Sequence, residues 1–176
     1  MRQVGRFLQT CRSLCSYLPQ VSTRFSIFCY ICNMYKYKEV KDNVYVLSVD
    51  NHEEIMAALK AFCTEKGILA GRIDGLGAVN EAVLRFLNPV TMKYVDKTFT
   101  EQMEISNLVG NISQKDGQVY LHVHVTLGRE DYTAVAGHLL TARINGACEL
   151  YVTHYPGGEP LGRILDHETG LNMYDL

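Results

Sequence analysis

The chain has no stretch approaching the roughly 20 apolar residues that a membrane-spanning helix needs. Its longest apolar-leaning run, residues 25–32, is eight residues long and contains a serine. Net positive charge is also missing. The formal charge is −2 over 176 residues, and non-specific nucleic-acid binding needs clustered Lys and Arg to neutralise phosphates. Internal repeats and low-complexity tracts are absent. With 47% hydrophobic and 20% charged residues, the composition is that of an ordinary globular domain.

Two deficits divide the chain. Residues 1–35 carry four arginines (Arg2, Arg6, Arg12 and Arg24) but neither lysine nor acid. Residues 36–176 carry 13 basic and 19 acidic side chains, a net −6. Four of the six cysteines (Cys11, Cys15, Cys29 and Cys32) lie in the first part, leaving only Cys63 and Cys148 in the second. Two separate thiols make no disulfide framework and point to a reducing, cytoplasmic setting. Residues 1–33 show no period of 2 or 3.6. They can be read as an Arg-rich presequence, as a zinc knuckle on Cys11-x3-Cys15 and Cys29-x2-Cys32, or as an extension with no folded role. The last is preferred, with disorder expected there, Met34 as an alternative start and 34–176 as the folded domain.

From Met34 onward the patterns are clear. Val44–Val49 reads as a strand. Asp50 and Asn51 offer helix N-caps, with Glu53 and Glu54 three residues on as in a capping box. Ile55, Met56, Leu59, Phe62 and Cys63 then form one apolar helix face, and Gly67 is a natural stop. Further strands are expected at 68–73, 82–87, 92–95, 98–106, 108–113, 119–126, 137–144 and 147–155. Asp74-Gly75-Leu76-Gly77 is expected as a tight turn, Asp96-Lys97 as another, and Asp116-Gly117 as a hairpin. A bulge is expected near Asn107, and the tail from residue 161 is expected to be irregular or weakly extended. Cys63 and Cys148 fall on apolar faces and are expected in the core. One amphipathic helix with many short strands predicts an α+β fold with a mostly antiparallel sheet.

Little of the chain suggests chemistry. Neither a P-loop nor a nucleophile elbow is present, and the glycines at 71, 75 and 77 do not make a dinucleotide fingerprint because Asn80 stands where its third glycine belongs. The strongest constellation is His122-x-His124 with His138. Histidines at i and i+2 of a strand project from one face, and His138 follows a glycine that lets the backbone bring it near. Three imidazoles suit a zinc-type divalent ion and leave an open coordination position. The alternative is that they are only the polar side of a strand. Glu104, among apolar strand residues, is a candidate general base or additional ligand, or else a solvent-facing acid.

The motifs Gly75-Leu76-Gly77-Ala78-Val79, Met103 through Ile112, Leu121 through Gly128 and Gly137-His138-Leu139 together resemble the PPC domain, the plant and prokaryote conserved domain, over about residues 35–155. The resemblance implies an α+β homotrimer. Plant members join the domain to an Arg-Gly-Arg-Pro AT-hook that binds DNA. That sequence does not occur here, so direct nucleic-acid binding is not expected. The plant partner-binding motif, Gly-Arg-Phe-Glu-Ile-Leu, aligns with residues 101–106 and matches only at Glu104 and Ile105. Single-domain prokaryotic members carry the His-x-His and Gly-His-Leu motifs, which implies a metal at His122, His124 and His138. Three functions remain open: a homotrimeric metal-site protein, with zinc as the expected ion and any small-molecule ligand unknown; a metal-dependent hydrolase or lyase with Glu104 as base; and a DNA-associated regulator. Tyr120, Tyr151 and Tyr155 are expected at a trimer interface.

Overall fold

A computed structural model describes residues 34–159 and 161–176. The expectations for residues 1–33, the cysteine knuckle included, lie outside the described residues. The order is β1 (Tyr35–Lys41), β2 (Val44–Val49), α1 (Ile55–Lys66), β3 (Gly71–Asn88), β4 (Lys93–Phe99), β5 (Met103–Lys115), β6 (Gln118–Gly128), β7 (Ala134–His154), β8 (Arg163–Leu165) and β9 (Asn172–Tyr174). The chain is α+β with antiparallel pairing throughout. No described helix is long and apolar enough to cross a membrane.

The helix obeys the periodicity but not the expected cap. Ile55, Ala58, Leu59, Phe62 and Cys63 are buried, and Gly67 ends the helix in the left-handed conformation, φ 64°. The cap is Glu54. Its carboxylate accepts from the Met56 and Ala57 backbone N–H groups at 2.9 and 2.7 Å, and also from Ala142 N–H of β7 at 3.0 Å. Asp50 and Asn51 are therefore not the caps. A carboxylate that satisfies two helix donors and one strand donor outcompetes them, because it also fixes the helix on the sheet.

The sheet order is β1-β2-β7-β6-β5-β3-β4, with β7 also paired to β3. Strands β3, β5, β6 and β7 thus form a closed ring of pairings. Strands β3 and β7 run 18 and 21 residues, far beyond the usual five or six or so. Three sequence expectations fail here for one reason. The glycine run at 74–77 is not a turn, Asp96-Lys97 is inside β4, and the expected strands at 137–144 and 147–155 are one strand. Backbone irregularities absorb the bends instead: β3 shifts register against β7 between Gly77 and Val79, Val79 and Glu81, and Val83 and Leu84. Glycine is needed because the ring closes tightly. A Cβ on Gly71 would stand 2.4 Å from the Thr153 carbonyl oxygen, and one on Gly75 2.3 Å from a Leu150 methyl.

Other expectations hold. The β5–β6 register shifts between Ile105 and Asn107, where the bulge was expected. Asp116 and Gly117 turn the β5–β6 hairpin with φ 53° and 74°, as a two-residue hairpin turn requires. Cys63 and Cys148 are buried free thiols, each pushed up to about 12 chiefly by burial. The helix packs against β6 and β7, and its buried side chains join Val123, Val125, Leu127 and Ile144 in one core. Strand β1, with its alternating Lys36 and Lys38, lies at one edge, a placement the sequence did not suggest. The tail forms the small β8–β9 hairpin.

Candidate metal centre

On β6, Val123, Val125 and Leu127 face the core while His122 and His124 face away, so the alternation that builds the core also pairs the histidines. The third comes from β7. His124 stands directly opposite His138 in the β6–β7 register, one residue after Gly137 meets Val125. One nitrogen from each of the three rings lies within 4.8 Å of the others. The His122 and His124 Nε2 atoms are 3.2 Å apart, and the ring centroids are separated by 5.1–5.4 Å. His122 and His138 are half-buried and His124 is exposed.

The electrostatics suit a cation. Burial lowers the His138 pKa to about 4, aided by the other two imidazoles and by Arg85; Asp96 opposes this. Arg85 sits opposite His138 on β3 and holds Asp96 by two hydrogen bonds of 2.7 and 2.8 Å. His122 is lowered too, first by burial, then by His124 and by Arg163. A neutral imidazole offers a lone pair, so His122 and His138, both held below the usual range, form with His124 a ready donor set for a divalent ion. The residues present therefore fit such an ion by donor chemistry.

A cleft of about 410 Å³ opens beside His122 and His124, walled in part by Arg72, Asn111, Tyr155 and Tyr174. Several of these carry no sequence signal of a role. Arg163, in the tail expected to be irregular or weakly extended, donates to Ser113 Oγ at 2.8 Å, to Asn111 Oδ1 at 2.7 Å and to the Asn172 carbonyl at 2.9 Å. It also lies over the Tyr120 and Tyr174 rings, so Tyr120 is engaged by its own chain's tail.

Glu104 is not brought to the triad. It pairs with Gly128, four residues from His124, or about 13 Å at the rise of a strand. It lines a second cleft with Glu101, Arg129, Glu130 and Tyr132. His167 lies in the turn between β8 and β9 and is outside the cluster.

A ring of antiparallel strands, one helix and three convergent imidazoles define a small α+β domain with a candidate metal centre. The chain belongs to the Plants and Prokaryotes Conserved (PCC) domain family, whose model matches residues 37–156. It is similar to the solved structure of a candidate DNA-binding protein from Bacteroides thetaiotaomicron, at 57% identity and TM-score 0.78, covering 81% of this chain and 98% of that one. It is similar to a metal-containing protein from Archaeoglobus fulgidus at 34% identity and TM-score 0.71, covering 80% and 96%. A plant- and prokaryote-conserved protein from Pyrococcus horikoshii matches at 26% identity and TM-score 0.70, covering 81% and 95%. No curated protein matches the sequence. The name of the Bacteroides protein runs against the expectation that nucleic acid is not a partner.

Proposed function

We propose that this chain is a cytoplasmic, homotrimeric protein whose domain, residues 34–176, holds one zinc-type divalent ion on His122, His124 and His138. The observation that carries the reading is the convergence of three ligand nitrogens within 4.8 Å across two strands. The metal-containing relative from Archaeoglobus fulgidus supports it. Zinc is preferred because imidazole suits it and because three such donors leave a position for an outside ligand. Exposed apolar side chains, among them Phe86, Val95 and Tyr151, support self-association. The enzyme reading is set behind the metal-site reading, because Glu104 pairs with Gly128, about 13 Å along the strand from His124.

The test is metal content after dialysis against a weak chelator. Wild type and His167→Ala retain one ion per chain; His122→Ala, His124→Ala and His138→Ala lose it. Equal zinc in all five proteins refutes the reading. Sedimentation checks the trimer, and a chain starting at Met34 that folds and sediments like the whole checks the domain boundary. DNA association is a second reading, favoured by the name of the Bacteroides relative. Binding to a labelled duplex tighter than about 1 µM at physiological salt would bring it forward, because non-specific binding runs from about 1 to 100 µM.

A further inference from the structure

We propose that the cleft beside the histidines binds a small organic anion, a carboxylate on an apolar or aromatic body, which reaches the open coordination position of the divalent ion. The inference rests on the metal reading above. Its first support is charge. Imidazole donors are neutral, so a divalent cation held by three of them keeps its full charge. Among the described residues ten line the cleft, and none of these is acidic. Arg72 is one of them; Asp74, its ion-pair partner at 2.7 Å, is not. A site of that sign favours an anion and rejects an amine.

The second support is the shape and lining of the cleft. At about 410 Å³ it falls at the small end of ligand sites, which run from about 300 to 1,000 Å³. Val109, Leu161, Tyr155 and Tyr174 give it apolar and aromatic walls. An inorganic anion would leave those walls without a partner, whereas a ring would cover them. Leu161 and Tyr174 lie beyond residue 156, where the family match ends. This part of the cleft is therefore built by the tail.

Three residues of the tail hold it to the sheet. Leu161 accepts from Gln114 N–H at 2.9 Å, Lys115 Nζ donates to Asn172 at 2.8 Å, and Arg163 bonds Asn111 and Ser113 of β5. The Arg163 guanidinium also lies 4.0 Å from the centre of the Tyr174 ring. It does not line the cleft. Arg163 is thus a positioning residue, and Tyr174 and Leu161 are the contacts it positions.

The test uses the full chain loaded with cobalt(II), whose visible spectrum reports its ligands. Benzoate is the probe, with acetate as the anion lacking a body and benzamide as the body lacking charge. Benzoate is expected to change the spectrum with a Kd on the order of 1 mM or tighter, at least about tenfold tighter than acetate, and benzamide to leave it unchanged. Tyr174→Ala and Leu161→Ala should each weaken benzoate by about fivefold or more, at unchanged metal content and unchanged acetate affinity. Arg163→Met should do the same through the hairpin, and Arg163→Lys should restore part of the loss. Full cobalt loading with no response to benzoate overturns the anion site and leaves the metal reading standing. So does equal binding of benzoate and acetate, or indifference to Tyr174→Ala. Failure to load cobalt overturns the metal reading and this inference with it.

Discussion

Two clefts of nearly equal size, about 410 and 450 Å³, open along the β5–β6 pair, one beside its middle and the other at the end away from the hairpin turn. One is bordered by His122 and His124 and has no acid among its described lining residues. The other is lined, among the described residues, by Glu101, Glu104 and Glu130 with Arg129. Arg129 is already committed there, donating to Glu101 at 3.1 Å. Volume does not separate the two. What separates them is whether donors converge. A strand register that sets His124 opposite His138 gathers three ligand nitrogens, whereas the acids of the other cleft stand on exposed backbone with no third element to draw them together. A cluster of acids is an ordinary solvated surface; three imidazoles sharing a few ångströms are not.

The largest expected effect tests that contrast directly. His124→Ala should abolish metal retention while leaving urea stability of the metal-free protein within about 0.5 kcal/mol, since exposed side chains contribute little to folding. Glu104→Gln in the other cleft should leave metal content unchanged. If Glu104→Gln also releases the ion, the two clefts are coupled and the comparison fails.

Backbone closeness gives the next largest difference. Gly71, which lines the histidine cleft, has the Thr153 carbonyl oxygen only 2.4 Å from where a Cβ would go. Gly71→Ala should cost about 2–3 kcal/mol in a urea titration, because the β3–β7 pairing must open to admit the methyl. Gly128, lining the acidic cleft, would put a Cβ 3.1 Å from the Ser106 hydroxyl and an ordinary 3.9 Å from the Glu104 carbonyl oxygen, and Gly128→Ala should cost less than about 1 kcal/mol.

Acid should act on the histidine end. His138 is held to about 4 by burial and neighbouring positive charge, below the usual 6.5 or so. The unfolded chain therefore takes up this proton first. The metal-free protein should lose stability as pH falls from about 6.5 toward 4, with no further loss from this group below that. Because His122 is lowered as well, metal release over the same window should take up fewer than three protons per ion. Calorimetric titration in buffers of different ionisation enthalpy measures that number, and an uptake of three would mean that the imidazoles are ordinary.

The smallest effect belongs to the acidic cleft. Glu101→Gln breaks an ion pair in which the Glu101 side chain is 47% exposed, and a thermal melt should register less than about 1 kcal/mol. A larger loss would show that this cleft is a built structure rather than a solvated edge.

How much was legible follows from the range of each interaction. Val123 and Val125 alternate with His122 and His124, so strand, buried face and ligand pair could all be read from residues 119–126. Phe62 and Cys63 with Gly67 likewise fixed the helix and its end. The glycines at 75 and 77 could not be read as strand, because local preference marks glycine as a turn residue while its use here is set by β7 approaching from some 75 residues away. Glu54 could not be chosen over Asp50 and Asn51, because its third partner is Ala142. Arg163 was illegible for the same reason. Its anchors, Asn111 and Ser113, are about fifty residues distant.

By itself, then, the sequence determined what depends on neighbours a few residues away: the alternating faces, the helix, the hairpin turn at Asp116-Gly117, and the family to which the four motifs point. Only the tertiary structure decided what depends on register between distant strands. It closed the ring through β3 and β7, set His138 opposite His124, left Glu104 at the far end, and folded the tail into a wall of the cleft. The physical reason is that a period of two fixes which face a side chain takes, whereas its opposite partner is chosen by backbone hydrogen bonds whose pairing no local pattern specifies.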